Sequence, residues 1–351
     1  MGYRLAAMLA AALLAGCTNV KSGLAEGAPR MLGRHAETAD GVKLFAWPAS
    51  GVEARFEGSR VTAVLEDTGS NILDVTVDGK TELLWLDEGR HTYTVFESDT
   101  PGVHRISLTR RSEIFDEGLT GLVSLETDGR FLEVPEAEHR ILFLGDSISV
   151  GYGAEGPAGC TYSAETGAPL RAWPALTAKA FGADWHTIAV SGRGVIRNYG
   201  DEDVPLMPDN FERTLPQQDG AWDHDSWTPQ IIVINLGTND YWSGDPGDAF
   251  TGAYEALLLR VREAYPDTRI YAAFIRPPQP DAKAESAIAR IKTAVLRRRN
   301  AGDRAVSMIT LPIATEGHIL GCDSHPGLDS HRVMAGAMIA RIRNDMGWKA
   351  D

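Results

Sequence analysis

Basic residues are scarce in this sequence. Its 351 residues include 34 Lys and Arg against 48 Asp and Glu, a formal net charge of -14 at pH 7. Binding to nucleic acid requires clustered Lys and Arg facing the phosphates, so we expect no nucleic-acid partner. The chain also lacks an internal repeat of solenoid period, a Gly-rich phosphate loop and a cluster of His, Cys and Asp at metal-ligand spacing. We therefore expect no metal and no cofactor.

Long hydrophobic runs are missing as well, except at the start of the chain. Arg4 is followed by an apolar run over residues 5–14, which is too short to span a membrane as a helix. The run leads directly into Leu14-Ala15-Gly16-Cys17. A positive charge, a short apolar run and small residues are typical of a secretory signal peptide, so the mature protein is expected to leave the cytoplasm.

Leu-Ala-Gly-Cys resembles the bacterial lipobox, in which the cysteine becomes the lipidated first residue of the mature protein. The alternative is a plain secretory signal with a chance cysteine. Thr18, rather than Asp, follows Cys17, so the resemblance implies no inner-membrane retention signal. We expect a signal peptide at residues 1–17 and contact with a membrane only through the lipid on Cys17. The expected location is the bacterial cell envelope, at the outer membrane or facing the periplasm.

Cysteine is scarce too, with three residues in the whole chain. If Cys17 carries lipid, Cys160 and Cys322 remain as an even pair in an oxidising compartment. The sequence therefore predicts a disulfide between them, the alternative being two buried free thiols.

The mature chain divides into two regions of different texture. Residues 18–30 are small and polar and are predicted to form a tether. Residues 31–134 hold short alternating apolar runs separated by turn signals, which predicts a β-sandwich or jelly-roll domain. The predicted strands lie at residues 42–47, 54–56, 61–65, 72–77, 82–85, 91–96, 104–108 and 121–125.

After a short linker at 135–139, strands alternate with helices from residue 140 to residue 351. This alternation predicts a parallel sheet covered on both faces, and we expect a flavodoxin-like three-layer α/β/α sandwich. Strands are predicted near residues 141–144, 185–190, 231–236, 269–274 and 305–310, and helices at 173–181 and 330–343, with apolar residues at helical spacing near 254–261 and 288–295.

The most informative stretch begins at Ile141. Four apolar residues of strand type run into Gly145-Asp146-Ser147, which places a serine at the carboxyl end of a buried strand, where open α/β sheets hold their chemistry. We expect Gly145 to take a backbone conformation that other residues resist and so to aim Ser147 outward. Asp146 is interpreted as a hydrogen-bonding scaffold for the turn. The alternative is an ordinary strand-to-loop turn, since Gly, Asp and Ser are common there.

Acyl transfer by a serine needs a base and donors for the developing oxyanion, and three further stretches offer them. Gly192 follows a predicted strand, so its backbone N–H can point to the same edge of the predicted sheet as Ser147. Asn239 follows the strand at 231–236 and offers a side-chain amide. His325, next to Pro326, offers an imidazole just before the terminal helix.

Taken together, Gly145-Asp146-Ser147-Ile148, Gly192, Gly237-Thr238-Asn239-Asp240 and His325-Pro326 stand in the order of the SGNH (GDSL) hydrolase superfamily. With a β-sandwich ahead of that domain, and with Gly151-Tyr152-Gly153, Ser191-Gly192-Arg193-Gly194-Val195 and Arg197-Asn198-Tyr199, the chain resembles the family-two carbohydrate esterases, which deacetylate plant polysaccharides. The resemblance implies Ser147 as nucleophile and His325 as general base and later acid. It also implies an oxyanion hole formed by the N–H of Ser147, the N–H of Gly192 and the side chain of Asn239.

One position departs from the wider superfamily, which places an aspartate three residues before the histidine. That position is Cys322 here, whereas Asp323 lies two residues before His325, as in the narrower family. Asp323 is the predicted third catalytic member, with a backbone carbonyl as the alternative. A disulfide at Cys322 would tie the histidine loop to the loop after the serine.

Two other sets of residues need an interpretation. Tyr241 and Trp242 directly follow the oxyanion asparagine and are predicted to stack on sugar rings, with core packing as the alternative. His331, at the start of the last helix, is interpreted as a packing or capping residue.

The expected function is removal of O-acetyl groups from an acetylated polysaccharide or oligosaccharide, with the β-domain shaping one wall of the groove. Two alternatives remain, a short-chain lipase or esterase of the same superfamily and a non-catalytic carbohydrate-binding lipoprotein.

Overall fold

A computed structural model describes residues 25–350 apart from Glu117, Gln217 and Pro278. The predicted signal peptide and Cys17 lie outside the described residues. Within this part of the chain, no helix combines the length and the apolar character needed to cross a membrane.

The N-terminal domain is an antiparallel sheet of nine strands. These strands, β1 to β9, are Arg30–Leu32, Ala36–Glu37, Lys43–Phe45, Gly51–Asp67, Ile72–Val77, Lys80–Trp85, Gly89–Arg110, Thr120–Thr127 and Arg130–Leu132.

Two strands are much longer than the sequence indicated. β4 includes both runs predicted at 54–56 and 61–65, and β7 includes those predicted at 91–96 and 104–108. The polar residues between the runs are not turns, since β4 and β7 stay paired on both sides of a register shift between Gly58 and Arg60. On one side of this shift β4 also pairs with β1 and β9, and on the other with β8. The two long strands therefore pass through both halves of the domain, and their inward side chains share one apolar core.

The predicted tether is wrong for residues 25–30. Glu26 forms a bridge with Leu132, and the Gly27 N–H donates a hydrogen bond of 3.2 Å to the Phe131 carbonyl. Arg30 already belongs to β1, opposite Glu53 in β4. This short segment is fixed on the sheet by backbone hydrogen bonds, which small polar residues make as readily as others.

The second domain is a five-stranded parallel sheet with helices on both faces. Its strands are β10 (Arg140–Gly145), β11 (Asp184–Ala189), β12 (Ile231–Asn235), β13 (Arg269–Arg276) and β14 (Val306–Pro312). Its helices are α1 (Ser147–Val150), α2 (Trp173–Lys179), α3 (Met207–Phe211), α4 (Asp248–Ala264), α5 (Ala282–Asn300) and α6 (Leu328–Met346). The strand order is β11-β10-β12-β13-β14, the flavodoxin-like order that the sequence predicted.

The alternating faces of β10 explain why its apolar run is unbroken. Leu142 and Leu144 pack with α3, α4 and α5 on one face of the sheet. Ile141 and Phe143 pack with α2 and α6 on the other face. A strand covered on both faces needs apolar residues at every position. The polar residues that follow β10, β11 and β12 then meet at the carboxyl edge of the sheet.

Candidate active site

Ser147 is the first residue of the single helical turn α1, which follows β10 after Asp146. The Asp146 side chain caps α1 by accepting a hydrogen bond of 3.1 Å from the Ile148 N–H. Gly145 does not take a left-handed conformation, so the reason we gave for it is wrong. A side chain at Gly145 would collide with Ser149, so the glycine is needed for close approach. Ser147 is only 7% exposed, at the rim of the sheet.

The structure brings Ser147 and His325 into direct contact. A hydrogen bond of 2.8 Å joins Ser147 Oγ and His325 Nε2. The two residues are 178 positions apart in the chain, and the parallel sheet and the loop before α6 bring them together. A nucleophile within hydrogen-bond reach of an imidazole is the geometry that serine acyl transfer requires.

Burial sets the protonation state of His325. It lowers the pKa of the imidazole below its ordinary 6.5. The backbone carbonyls of Asp323 and Cys322 and the negative charge of Asp323 raise the pKa, but they offset only part of the effect of burial. Nδ1 makes no hydrogen bond of good geometry with a described residue. The imidazole is therefore neutral near pH 7 and can accept the serine proton.

The structure does not bring the carboxylate of Asp323, the predicted third catalytic member, against the imidazole of His325. Its carboxylate accepts hydrogen bonds from the Tyr152 hydroxyl, at 3.0 Å, and from the Tyr162 N–H, at 2.9 Å. The carboxylate forms no hydrogen bond or ion pair with His325. The backbone of Asp323 is left-handed, with φ 48°. This conformation accompanies a side chain turned toward the two tyrosines instead of the imidazole.

Tyr152 supports the imidazole in place of a carboxylate. Its ring lies 4.3 Å from the His325 ring between centroids, tilted by 37°, and stacks on Tyr162 at 4.2 Å. Asp323 therefore acts on His325 through Tyr152. The only sequence signal was the motif Gly151-Tyr152-Gly153, to which we assigned no role.

Cys160 and Cys322 form a disulfide, as the sequence led us to expect. The bond joins the loop after the nucleophile to the loop that carries His325. Two backbone hydrogen bonds reinforce it, from Cys322 N–H to the Gly153 carbonyl at 3.0 Å and from Asp323 N–H to the Cys160 carbonyl at 2.8 Å. The disulfide and these two bonds, together with the hydrogen bonds of Tyr152 and Tyr162 to Asp323, hold the histidine loop on the serine loop.

Gly192 and Asn239 lie at the same edge of the sheet as Ser147. Gly192 is left-handed, with φ 76°, and its N–H donates to no residue in the described part of the chain. The Asn239 amide donates a hydrogen bond of 2.9 Å to the Arg193 carbonyl and lies 3.5 Å from the Asp146 carboxylate. The amide is thereby anchored beside the serine turn. Donation by Ser147, Gly192 and Asn239 to an oxyanion stays a prediction.

The family comparisons agree with this arrangement of residues. The GDSL-like Lipase/Acylhydrolase family matches residues 143–323, which include Ser147, Gly192 and Asn239. The chain belongs to this family. The N-terminal domain matches the Carbohydrate esterase 2 N-terminal family over residues 31–135.

Three relatives illustrate the similarity of this GDSL-like hydrolase to known proteins. It is 29% identical to an acetylxylan esterase / glucomannan deacetylase of Cellvibrio japonicus, over 86% of each chain. It is 30% identical to the cellulase/esterase CelE of Acetivibrio thermocellus over 86% of its own length, but spans only 38% of CelE. The solved structure of a family two carbohydrate esterase from Clostridium thermocellum in complex with cellohexaose has a TM-score of 0.86 and 29% identity, covering 92% of this chain and 100% of that one.

Asp240 fixes the loop that follows Gly192 in this GDSL-like hydrolase. Its buried carboxylate accepts hydrogen bonds from the backbone N–H groups of Val195, Ile196 and Arg197, at 3.0, 2.8 and 3.1 Å. Burial raises the pKa of Asp240, although the three N–H donors oppose the shift. Burial also raises the pKa of Asp146 to about 7, and the charge of Asp240 adds to that shift. We missed the role of Asp240 because a carboxylate after Asn239 reads as an ordinary turn residue.

The predicted sugar-stacking surface is partly wrong. Tyr241 is only 3% exposed and packs edge-on against Phe250, so it belongs to the core. The short helical turn at Asn239–Tyr241 directs its ring inward. Trp242 is half-buried and lies 5.4 Å from the ring of Tyr199, which is 58% exposed. The exposed aromatic surface on this side is therefore Tyr199, supported by Trp242.

His331 has the packing and capping role that the sequence indicated. It is fully buried, and its Nδ1 accepts a hydrogen bond of 3.2 Å from the N–H of Trp173, the first residue of α2. Burial lowers its pKa to about 3.

Among the residues described, no three His, Cys, Asp or Glu side chains are grouped so as to hold a metal ion. The site thus offers a nucleophile, a neutral base and backbone donors, the parts needed for acyl transfer.

Proposed function

We propose that this protein is a carbohydrate O-acetyl esterase that hydrolyses acetyl esters on polysaccharides or oligosaccharides through an acyl-serine intermediate. The observation that carries the proposal is the 2.8 Å hydrogen bond between Ser147 Oγ and His325 Nε2. The similarity to an acetylxylan esterase / glucomannan deacetylase supports the choice of substrate class.

In the acylation half, the imidazole carries its hydrogen on Nδ1, and Nε2 accepts the proton of the Ser147 hydroxyl. Ser147 Oγ attacks the carbonyl carbon of the acetyl group, and the π electrons of the C=O bond move to the carbonyl oxygen. The N–H groups of Ser147 and Gly192 and the amide of Asn239 stabilise this oxyanion. The tetrahedral intermediate then collapses, the ester C–O bond breaks, and His325 donates its proton to the departing sugar oxygen, which leaves as a hydroxyl group.

In the deacylation half, water attacks the acetyl group on Ser147 while His325 Nε2 accepts a proton from that water. Collapse of the second tetrahedral intermediate breaks the bond to Oγ, which takes the proton back, and acetate leaves. The neutral state of His325, which burial favours, is the state that both halves need at their start.

Exposed aromatic rings flank the catalytic pair and are the proposed contacts for the glycan. Phe115, from the N-terminal domain, is 44% exposed and lies 5.8 Å from the ring of Tyr162. Tyr199 lies next to Gly192, and its N–H donates a hydrogen bond of 2.8 Å to the Gly192 carbonyl. Flat apolar rings suit the faces of sugar rings. In this proposal the β-domain contributes one wall of the substrate groove through Phe115.

The cellular location is also a proposal and rests on the sequence alone. Lipidation of Cys17 and removal of residues 1–16, which leaves Cys17 as the first residue, would anchor the enzyme in a bacterial cell envelope. Metabolic labelling with a radioactive fatty acid tests it, since the wild type should incorporate label and Cys17→Ser should not. Equal labelling of both proteins would refute the lipid anchor.

The activity is tested by acetate release from acetylated xylan, acetylated glucomannan and an aryl acetate. We compare the wild type with Ser147→Ala and with Ser149→Ala, a matched control on the same helical turn. The proposal predicts release by the wild type and the control and none by Ser147→Ala. Hydrolysis of long-chain esters in preference to acetylated glycans would favour a lipase, and glycan binding without any ester hydrolysis would favour a binding protein.

A further inference from the structure

A buried carboxylate from the N-terminal domain reaches the catalytic domain beside the oxyanion loop. Glu113 follows β7 and is only 2% exposed. Its carboxylate accepts a hydrogen bond of 2.5 Å from the Ser191 hydroxyl and one of 3.2 Å from the Ser191 N–H. Arg110 fixes the backbone there by donating to the carbonyls of Ser112, at 3.1 Å, and Glu113, at 3.3 Å. The backbone that carries the carboxylate is therefore held by its own domain.

Ser191, which Glu113 binds, directly precedes Gly192 in the chain. The peptide bond between Ser191 and Gly192 carries the Gly192 N–H, one of the three donors proposed for the oxyanion. Glu113 holds both the N–H and the hydroxyl of Ser191, on the near side of that peptide bond. Gly192 is left-handed, a conformation that glycine can also leave at little steric cost. Without an external partner, the direction of this N–H would be poorly fixed.

The far end of the same loop is held by the catalytic domain itself. Asp240 binds the N–H groups of residues 195–197, and the Asn198 side chain accepts a hydrogen bond of 3.1 Å from the Gly194 N–H. The loop from Ser191 to Arg197 is thus fixed at both ends by buried carboxylates, one from each domain. The β-domain holds the end that is closest to the reacting atoms.

We propose that Glu113 is a positioning residue for the reaction, acting through Ser191 to aim the N–H of Gly192 at the oxyanion. The inference rests on the proposed acyl transfer at Ser147. A misdirected donor weakens an interaction made only in the transition state, so kcat falls while KM changes little. Complete loss of one oxyanion donor costs on the order of 100- to 1,000-fold in kcat. Misdirection without removal should cost about 10- to 100-fold.

The test compares Glu113→Ala, Glu113→Gln and Ser191→Ala with the wild type on an aryl acetate. Gln keeps one oxygen acceptor for the Ser191 hydroxyl, so we expect Glu113→Gln to recover part of the kcat lost in Glu113→Ala. Ser191→Ala removes the hydroxyl donor. In the double variant of Glu113→Ala with Ser191→Ala, the two losses of kcat should not multiply. The matched control is Glu53→Gln, another buried carboxylate of the β-domain, which accepts hydrogen bonds of 3.0 Å from Arg30 and Arg105. That control should lower Tm and leave kcat unchanged.

Each outcome decides the proposal. A fall in kcat at constant KM, graded from Gln to Ala, supports it. Unchanged kcat in the folded variants, or a fall in kcat that Glu53→Gln shares at an equal loss of Tm, would show that Glu113 only joins the domains. If Glu113→Ala does not fold, Ser191→Ala and Glu113→Gln still decide. Full activity in Ser147→Ala would overturn the proposed function, whereas an inactive Ser147→Ala with a fully active Glu113→Ala would overturn only this inference.

Discussion

At the scale of single residues, the catalytic pair depends on groups that never touch the serine oxygen. Asp146 caps the turn that carries Ser147, and Tyr152 packs on His325. Asp323 and Tyr162 in turn hold Tyr152. The imidazole is therefore positioned by its contact with the Tyr152 ring, while the carboxylate of Asp323 is engaged by Tyr152 and Tyr162.

Asp323→Asn tests this arrangement. An asparagine oxygen can still accept from the Tyr152 hydroxyl and the Tyr162 N–H, so we expect kcat to stay within about tenfold of the wild type. A carboxylate that orients the base directly is worth on the order of 10⁴-fold. The negative charge of Asp323 raises the His325 pKa, so the acid limb of kcat/KM should also move to lower pH. A 10⁴-fold loss would restore Asp323 as a catalytic member.

Asp146→Asn tests the raised pKa of the capping carboxyl. The folded wild type holds this proton up to a pH of about 7, whereas the unfolded chain releases it near the ordinary value of 3.8. The wild type should therefore lose stability relative to the variant as pH rises from 4 to 7, and the difference should level off above 8. Asparagine keeps the N-cap acceptor. Urea unfolding at several pH values measures this, and a difference that does not change with pH would contradict it.

Ser147, His325, Gly192 and Asn239 could all be proposed from the sequence, because each follows a recognisable strand or precedes a recognisable helix. Their supporting residues could not. The hydrogen-bond partner of Asp323 depends on its left-handed backbone and on Tyr152, which lies 171 positions away. A local sequence pattern contains neither piece of information. Tyr241 and Trp242 are adjacent aromatic residues that the sequence does not distinguish. The direction of one short helical turn places Tyr241 in the core and leaves Trp242 half-buried.

At the scale of elements, the histidine loop is the least regular part of the site. Asp323 and Ser324 are both left-handed without being glycine, a conformation that costs energy unless neighbouring structure holds it. The disulfide at Cys322 and the backbone hydrogen bonds around it supply that restraint.

Cys160→Ser with Cys322→Ser should therefore lower both stability and kcat. The bond closes a loop of 162 residues, and its removal should cost at most about 5 kcal/mol of unfolding free energy by the loop-entropy estimate. The relaxed loop should misplace His325 and lower kcat. Dithiothreitol should have the same effect on the wild type and none on the double variant. Unchanged kcat and Tm after full reduction would show that the loop holds itself.

Element patterns were predicted better in the second domain than in the first. An apolar strand buried on both faces and a following helix are local signals, so β10 to β14 lie close to their predicted positions. In the first domain, the lengths of β4 and β7 depend on pairing across a register shift, which involves residues far apart in sequence.

At the scale of the whole molecule, the two domains are joined by buried charges as well as apolar contacts. Arg111, directly after β7, donates a hydrogen bond of 2.9 Å to Asp74 in its own domain. It also pairs with Glu155 and donates to the Glu165 carbonyl at 2.7 Å in the loop that carries Cys160. The sequence showed two domains, but it held no sign of which charges cross between them.

Arg111→Met should destabilise the protein by about 3–5 kcal/mol, the usual cost of leaving a buried carboxylate, here that of Asp74, without its ion-pair partner. Arg90→Met is the matched control, since Arg90 pairs with Glu66 on the exposed surface of the same domain and should cost less than about 1 kcal/mol. Denaturant unfolding measures both variants. Equal small losses would show that the charges between the domains contribute little.

The central claim is that Ser147 and His325 act as one catalytic unit. A double-mutant comparison on an aryl acetate tests it most directly, using Ser147→Ala, His325→Ala and the two combined. Each single change should lower kcat on the order of 10⁴- to 10⁶-fold, and the combination should cost no more than either alone. Losses that multiply, or a Ser147→Ala variant that still releases acetate at the wild-type rate, would contradict the account.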